Sequence, residues 1–447
     1  MSRPTRTSVM RSETRRRAIR HGIGADLGSL EPDNQFLSQR LGKGWYSRPP
    51  MAAPIKVDVL VVGSGASGLA AAVSAERSGA SVALVAKGAL QSCNSAKAQG
   101  GIQAAFGEDD SPEQHAEDVW QSSHETADRS LVEVLTGEAP SAIHWLEELG
   151  VEFTRDNGGY RLARCGGASR KRLLQVGDRT GHAITSALRD TVEASSIRRF
   201  PKSPLNALEP SANGWRARCG EHVIDAGTVV LAAGGRCYRE AEERGELSTN
   251  HPGATGEVTR IALELGAETR DYDALQYHPN GGAWPATMQG YSIPETTRAY
   301  GAVLLNADRE EFTDSLGPRD AVSQAIFDEV EAGRGVETPD GRPAVYLDTT
   351  RIAEDDAEIS LPYMLRRYHA GGIDPLGEPI FTFPVLHYQN GGLVIDDHGE
   401  TTVDGLYACG EIAGGTHGRN RMMGNSLLEC TVFGRRAGKA AAEKARG

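Results

Sequence analysis

The sequence has 447 residues, 53 of them glycine, and a formal net charge of −12 at pH 7 from 48 basic and 60 acidic side chains. This acidic balance argues against general nucleic-acid binding, and no apolar run approaches the roughly 20 residues of a membrane-spanning helix. The 6 cysteines form no CxxC pair, so neither a structural zinc site nor an iron–sulfur cluster is predicted, and a cytoplasmic protein with reduced thiols is expected.

The first 51 residues differ in composition from the rest of the chain. The segment MSRPTRTSVMRSETRRRAIRHG contains 7 arginines and lacks the apolar core of a secretory signal. We therefore predict a basic, disordered arm over residues 1–51. A start site assigned too early is the alternative, because Met51 directly precedes the first predicted strand.

Short apolar runs bounded by glycine predict buried parallel strands. These runs are VDVLVV (57–62), SVALVA (81–86), TVVLAAGG (228–235) and GLYACGE (405–411). Helical patterns follow from Ala66 to about Ser78 and from about Ser426 to Ala445. The pattern predicts an α/β fold, in which a Rossmann-like, doubly wound parallel sheet begins in residues 52–273 and is completed by residues 386–447.

The stretch from 274 to 385 has a different composition, richer in charge, proline and aromatic residues. We predict that it is an inserted α+β capping domain. The same fold carries a dinucleotide fingerprint, since the GSGASG segment places Gly63, Gly65 and Gly68 between a strand and a helix that begins at Ala66. These glycines permit a tight turn, close approach of a pyrophosphate and close helix–strand packing.

One element of the fingerprint is missing. The second strand ends at Lys87, where an acidic residue would normally hold the ribose hydroxyls. Ordinary NAD binding is therefore disfavoured, although the fold alone does not decide between FAD and NAD.

A series of further motifs makes the assignment specific. In chain order they are SCNSAKAQGGIQAAF (92–106), DRTGHAITSAL (178–188), ATGEVTRIALELGA (254–267), LQYHPNGG (275–282), GPRDAVSQAI (317–326), HYQNGG (387–392) and GEIAGGTHGRNRMMGNSLLECTVFGRRAG (410–438). This series resembles the succinate dehydrogenase/fumarate reductase flavoprotein family, which includes L-aspartate oxidase. The resemblance covers residues 56 to 440 and implies FAD, a cap over the isoalloxazine ring and a dicarboxylate substrate between the two parts.

The fingerprint and the resemblance together predict the cofactor-binding residues. They are Gly63, Gly65, Ala66, Gly68, Lys87, Asn94, Ser95, Gln99, Gly100, Gly101, Ala233, Gly234, Glu257, Glu411, Asn425, Ser426 and Leu427. The resemblance places Glu411 on the ribityl chain, and the last helix is expected to point its N-terminus at the flavin edge that becomes negative on reduction.

The attachment of the cofactor is predicted from the AQGG motif. Aligned through it, Asn94 occupies the position of the histidine that bonds covalently to FAD in membrane-bound succinate dehydrogenases. Asparagine cannot form that link, so we expect non-covalent FAD. Acid denaturation should release all the yellow colour into the supernatant; colour retained in the precipitate would contradict the prediction.

The resemblance also predicts the substrate site. It implies that His278, His387 and Arg421 bind the carboxylates and that Arg319 donates and accepts the proton. Since a guanidinium normally keeps its proton, the resemblance further implies a relay through Glu295 and Arg298.

Departures from the family pattern leave the substrate open. Pro294 replaces a threonine that would bind a carboxylate, with Thr296 or Thr297 as candidates to replace it, and Arg419 adds a charge beside Arg421. The helical C-terminal domain of larger members has no counterpart, which puts docking on an iron–sulfur protein in doubt.

Three activities remain open from the sequence. The first is a fumarate reductase or succinate dehydrogenase flavoprotein, acting alone or with an iron–sulfur or other electron-transfer partner. The second is an L-aspartate oxidase-like enzyme or a biosynthetic desaturase on a related acid. The third is an electron-transfer or assembly protein without turnover, which the set of Arg319, Arg421 and His387 disfavours.

Overall fold

The computed structural model describes residues 53–447, so the predicted basic arm, residues 1–51, lies outside the described residues. Numbered in chain order, the strands are β1 (Ile55–Val62), β2 (Val82–Val85), β3 (Ile102–Gln103), β4 (Arg155–Asp156), β5 (Gly159–Tyr160), β6 (Leu173–Leu174), β7 (Arg198–Phe200), β8 (Leu205–Ser211), β9 (Gly214–Cys219), β10 (His222–Leu231), β11 (Thr269–Arg270), β12 (Leu275–Gly282), β13 (Val303–Leu305), β14 (Val336–Glu337), β15 (Pro343–Asp348), β16 (Ile380–Gln389), β17 (Gly392–Val394), β18 (Leu406–Ala408) and β19 (Ala413–Gly414).

The helices are α1 (Ala66–Arg77), α2 (Asn94–Lys97), α3 (Pro112–Ser122), α4 (Arg129–Gly137), α5 (Ala139–Glu148), α6 (Thr180–Ala194), α7 (Cys237–Arg244), α8 (Glu257–Glu264), α9 (Thr296–Ala299), α10 (Arg319–Glu331), α11 (Glu354–Ser360), α12 (Pro362–Ala370) and α13 (Asn425–Arg446). Two short 3₁₀ helices cover Ala286–Met288 and Thr349–Arg351. Within residues 53–447, no helix combines the length and the hydrophobicity that crossing a bilayer requires.

The main sheet contains the predicted parallel strands. Its order is β7-β2-β1-β10-β9-β8, and β18 pairs with the second half of β10. β7, β2, β1, β10 and β18 run parallel. Val59–Val62 of β1 and the whole of β2 are buried, which is why both strands are continuous apolar runs. The α/β class and the Rossmann-like sheet are therefore confirmed.

The sheet also has an antiparallel edge that the sequence did not predict. β8, β9 and the first half of β10 form an antiparallel meander. In β9, buried and exposed residues alternate strictly, so no continuous apolar run marks it.

The predicted cap segment has its own hydrophobic cluster. Its strands form an antiparallel sheet in the order β12-β16-β15-β13, with β14 beside β15. Met288, Leu304, Val345 and Tyr368 are fully buried in a cluster separate from that of the main sheet. The predicted boundary between residues 385 and 386 lies inside β16, since this strand continues to Gln389 and pairs with β12 over most of its length.

Candidate active site

A cavity of about 890 Å³ opens at the carboxyl ends of the parallel strands. Its floor contains residues that directly follow β1, β2 and β10, and its roof contains residues of the cap strands β12 and β16 and of α12. The crevice outside the carboxyl ends is where open α/β sheets bind ligands, and the volume lies near the upper end of ligand pockets. This cavity is the candidate active site.

The first glycine turn is built as its sequence predicts. Gly63 has a φ of +116°, and a Cβ there would lie 2.2 Å from the carbonyl oxygen of Ala232. A Cβ on Gly68 would lie 1.9 Å from the carbonyl oxygen of Gly63. The turn therefore excludes side chains at both positions, and α1 begins behind it after Gly65, an N-cap residue without a side chain.

Most of the predicted cofactor-binding residues line this cavity. The lining contains Gly63, Gly65, Lys87, Asn94, Ser95, Gln99, Gly100, Gly101, Ala233, Gly234, Glu257, Glu411, Ser426 and Leu427. Ala66, Gly68 and Asn425 do not line it. The Ala66 N–H donates to Ser95 Oγ at 3.2 Å, and Asn425 Oδ1 lies 3.0 Å from His115 Nε2, so these two residues support the lining from behind.

Asn94 is held in a fixed orientation at the cavity wall. Its Nδ2 donates to Asn250 Oδ1 at 2.6 Å, and its Oδ1 accepts the backbone N–H of His251 at 2.7 Å. Gly101, later in the same segment, has a φ of +130°, so a side chain there would be strained. The segment is therefore a rigid wall of the cavity rather than a free connector.

A carboxylate from a distant part of the chain, that of Glu257, lies beside Lys87 at the end of β2. Lys87 Nζ donates to Glu257 Oε1 at 2.6 Å and to Thr255 Oγ1 at 3.0 Å. Burial alone would raise the pKa of Glu257, but the bonds from Lys87 and Thr255 outweigh it and lower the pKa. The wall near β2 thus presents an ionised carboxylate together with an ammonium group.

The opposite wall combines a helix N-terminus with an acid. Helix α13 starts after Gly424, no side chain caps it, and Ser426 and Leu427 line the cavity. Glu411 Oε1 accepts the backbone N–H of Gln389 at 3.1 Å, and desolvation raises the pKa of Glu411 to about 7.

These features fit the predicted FAD. Two helix N-termini with glycine at the N-cap position face one cavity, which favours phosphates at α1 and negative charge on the flavin at α13. Gln99 Oε1 is buried and finds no hydrogen-bond partner among residues 53–447, as expected of a group that awaits a ligand.

The predicted proton relay forms a buried ion cluster. Arg319 Nε donates to Glu295 Oε2 at 2.6 Å, and Arg298 Nη2 lies 3.5 Å from the same oxygen. All three side chains are at most 6% exposed. Burial alone would raise the pKa of Glu295, but the charges of Arg319 and Arg298 hold it at about 2. The carboxylate therefore stays ionised at any pH at which the enzyme would work.

A glutamine joins the two cavity arginines. Gln276 Oε1 accepts from Arg319 Nη1 and from Arg421 Nη2, both at 3.2 Å. Its Nε2 donates to Asn420 Oδ1 and to the Arg421 carbonyl oxygen, both at 2.8 Å. Gln276 thus fixes the separation of the two guanidinium groups.

Arg421 is also positioned by an aromatic ring. Its guanidinium lies 4.0 Å from the ring centroid of Tyr388, and its Nη1 donates to Ser426 Oγ at 3.1 Å. Burial and the charge of Arg319 lower the pKa of Arg421 to about 10, so it remains cationic at neutral pH. Its Nε is buried without a partner in the described part of the chain, which leaves a donor for an anionic ligand.

The two histidines differ in what they can donate. Both have a pKa well below the usual value, because of burial and of the charge of Arg319, so both are neutral. His278 Nε2 lies 3.0 Å from the Ile293 carbonyl oxygen and must donate to it, which leaves Nδ1 only as an acceptor. His387 Nδ1 lies 2.7 Å from Thr249 Oγ1. If that hydroxyl donates, His387 Nε2 carries the proton and can bind a carboxylate.

The structure shows where the threonines after Pro294 and the additional Arg419 lie relative to the cavity. Thr296 is buried and does not line the cavity, whereas the Thr297 hydroxyl donates to the Pro294 carbonyl oxygen at 2.8 Å. The structure therefore brings neither hydroxyl to the cavity. Arg419 is exposed and pairs with Asp273 at 2.7 Å and with Asp271 at 3.1 Å. Arg419 does not line the cavity, and its charge is paired with these two acids.

Sequence reasoning missed three residues of the site. Gln276 precedes His278 by two positions on β12, so strand alternation places both on one face. Tyr388 follows His387 within a motif that had been singled out, yet nothing in the sequence indicated its ring under Arg421. Thr249 comes from a loop without any motif, and no sequence signal could have found it.

Comparison with known proteins gives one consistent result. A family model described as an FAD binding domain matches residues 58–427. A component of the fumarate reductase (CoM/CoB) of Methanothermobacter marburgensis is 34% identical over 406 residues, which cover 87% of this chain and 73% of that protein. An L-aspartate oxidase of Streptomyces coelicolor is 36% identical over 404 residues, covering 86% and 68%. Among solved structures, an E. coli quinol fumarate reductase FrdA variant matches with a TM-score of 0.80 at 31% identity, covering 88% of this chain and 71% of that one.

Proposed function

The chain belongs to the family of FAD-dependent oxidoreductases that includes fumarate reductase flavoproteins and L-aspartate oxidases, and from this we propose that it acts on a dicarboxylate. The proposed reaction is hydride exchange between the flavin and a carbon–carbon bond, as in fumarate reduction or succinate oxidation. Arg319 is the proposed proton donor and acceptor at the neighbouring carbon.

The observation that carries this proposal is the pair of arginines held by Gln276. Arg319 and Arg421 share one acceptor at 3.2 Å each and both line the cavity. With Arg298 behind them and Glu295 as the counter-charge, the cluster has three cations for one anion. This excess positive charge favours a dianion, whose two carboxylates would be oriented by Arg421 and His387.

The charges of the lining support a dicarboxylate better than an amino acid. L-Aspartate would bring an ammonium group, and the lining carboxylates of residues 53–447 are Asp178, Glu257, Glu295 and Glu411. Asp178 accepts two backbone N–H groups of α12, and Glu257 and Glu295 are paired with Lys87 and Arg319. Glu411 has a pKa of about 7 and lies beside α13. Of these lining carboxylates only Asp178 and Glu411 have no ion pair among residues 53–447. The backbone of α12 holds Asp178, and burial, which raises the pKa of Glu411, makes Glu411 a weaker counter-charge for an ammonium group.

The proposed proton transfer uses groups already in contact. Arg319 Nη2 has no acceptor among the described residues, and Arg319 lines the cavity, so this nitrogen can face a substrate carbon. A proton lost from Arg319 would be replaced through Glu295, whose Oε2 accepts from Arg319 Nε. Glu295 would in turn take a proton from Arg298 Nη2, 3.5 Å away, and water would reprotonate Arg298. FAD supplies or accepts the hydride when bound.

The partner and the location remain proposals. Similar structures are chains of quinol fumarate reductase, so we propose that an electron-transfer protein or carrier supplies or removes electrons here. A cytoplasmic location is the prediction of the sequence alone.

Replacing Arg421 tests the proposed dicarboxylate site. Arg421→Met should weaken succinate binding to the FAD-loaded protein by about tenfold to a hundredfold, since one charged hydrogen-bonding partner is lost. Arg419→Met is the matched control, because Arg419 faces Asp271 and Asp273, and its succinate affinity should equal that of the wild type. The measurement is a titration of the flavin absorbance with succinate. Equal loss in both variants would contradict the proposed site.

A further inference from the structure

Lys97 and Arg367, which lie outside the arginine pair, line the same cavity without a counter-charge among residues 53–447; the exposed Arg179 also lines it without an ion pair in that range. Lys97 ends α2, on the side of the main sheet, and Arg367 lies in α12, on the side of the cap; both line the cavity. Neither makes an ion pair with any carboxylate of residues 53–447 within 4.0 Å. Two like charges that converge on one cavity indicate an anion that is shared between them.

Lys97 is connected to the proposed substrate site. Its Nζ donates to the Thr249 carbonyl oxygen at 2.5 Å, and the hydroxyl of the same Thr249 lies 2.7 Å from His387 Nδ1. Thr249 therefore contacts both the ammonium group of Lys97 and His387, the histidine that is proposed to bind a carboxylate. Burial and, to a lesser degree, the charge of Arg367 lower the pKa of Lys97.

Arg367 is held toward the cavity by the cap. Its guanidinium lies 4.3 Å from the ring centroid of Tyr291, and its Nη2 donates to the Thr287 carbonyl oxygen at 2.9 Å. Asp178 also lines this part of the cavity, but its oxygens accept the backbone N–H groups of Tyr363 and Met364 at 3.0 and 2.7 Å. The local carboxylate therefore caps α12 rather than neutralising Arg367.

We propose that Lys97 and Arg367 form a second anion subsite, which binds a third carboxylate of the substrate. This inference rests on the proposed function, since Arg421 and His387 would hold the other two carboxylates. A tricarboxylate is favoured over a separate anion because the subsite and His387 are joined through Thr249 within one cavity. The enzyme would then prefer an unsaturated tricarboxylic acid to fumarate. A bound acid would also join α2 to α12 and hold the cap over the cavity.

The test compares two saturated acids that differ by one carboxymethyl group. The FAD-loaded full chain is titrated with propane-1,2,3-tricarboxylate and with succinate, and the flavin absorbance gives each Kd. We expect the tricarboxylate to bind at least about tenfold more tightly. Lys97→Met and Arg367→Met should each lower this preference by about tenfold, and Arg366→Met, on the exposed side of α12, should leave it unchanged.

The outcomes separate this inference from the proposed function. If neither acid perturbs the flavin, the proposed function fails. If succinate binds but the tricarboxylate is not preferred, or if the preference survives both substitutions, only the second subsite is overturned. Inorganic phosphate should compete with the tricarboxylate; phosphate that instead strengthens succinate binding would identify a separate anion and overturn the proposal of a third substrate carboxylate.

Discussion

Replacing Arg319 with glutamine is expected to lower the turnover number by about two to four orders of magnitude, the usual contribution of a positioned proton donor. Glutamine keeps an N–H group near the cavity but cannot carry a proton to the substrate carbon. Arg319 also makes the contacts to Glu295 at 2.6 Å and to Gln276 at 3.2 Å that place it, and the shorter side chain loses them. The loss should therefore appear in kcat.

The measurement is stopped-flow reoxidation of the anaerobically reduced flavoprotein by an unsaturated di- or tricarboxylate. Arg334→Gln is the control. Arg334 follows the end of α10, is half exposed and pairs with Glu329 in the last turn of that helix. Arg319→Lys separates charge from geometry, since lysine keeps the positive charge but not the planar fork. A glutamine variant that retains more than about a tenth of the wild-type rate would contradict the assignment of Arg319 as the proton donor.

Replacing Glu295 with glutamine is expected to lower both the rate of flavin reoxidation and the free energy of unfolding. The substitution leaves Arg319 and Arg298 buried without their shared counter-charge, and such a change costs about 3–5 kcal/mol of unfolding free energy. Activity should fall as well, because the proposed relay loses the group that bonds Arg319. Urea denaturation of the FAD-loaded protein measures the first effect and flavin reoxidation the second.

The pH dependence gives an independent test of Glu295. Its pKa is about 2 in the folded protein against an ordinary value of 4.5. A depressed folded pKa contributes stability above the unfolded pKa, and the contribution is lost as the pH falls from about 4.5 to about 2. The expected contribution is about 3 kcal/mol. The wild type should therefore lose more unfolding free energy than Glu295→Gln over this window.

A second carboxylate serves as the matched control for Glu295. Glu329 is also buried and paired with an arginine, but Arg334 is half exposed and no cavity residue depends on the pair. Glu329→Gln should change the unfolding free energy by less and leave flavin reoxidation intact. A Glu295→Gln protein within about 1 kcal/mol of the wild type would contradict the buried ion cluster.

The main features of the fold were predictable because they depend on local sequence. Continuous apolar runs mark β1, β2 and β10, since strands buried on both faces have no polar side. The glycines at 63 and 68 were predictable because their geometry excludes any side chain. The meander of β8 and β9 was not predictable, since its half-exposed strands lack a continuous apolar run.

The site was predictable only in part because its contacts are long-range. The motifs identified Arg319, Arg421 and Glu295, but not that Gln276 joins the two arginines. The sequence indicated Lys87 only as a departure from the fingerprint. It did not indicate that Glu257, 170 positions later, pairs with Lys87. Side-chain direction was equally hidden: Arg419 stands two positions before Arg421 in the sequence but pairs with acids outside the cavity.

Anaerobic reoxidation of the photoreduced, FAD-loaded protein by candidate acids tests directly whether the flavin reduces an unsaturated acid. Fumarate or an unsaturated tricarboxylate should restore the oxidised flavin spectrum of the wild type and yield the saturated acid, whereas the Arg319→Gln protein should stay reduced. L-Aspartate added to the oxidised protein should leave the flavin oxidised. Bleaching by L-aspartate, together with no reoxidation by any unsaturated di- or tricarboxylate, would contradict the proposed function.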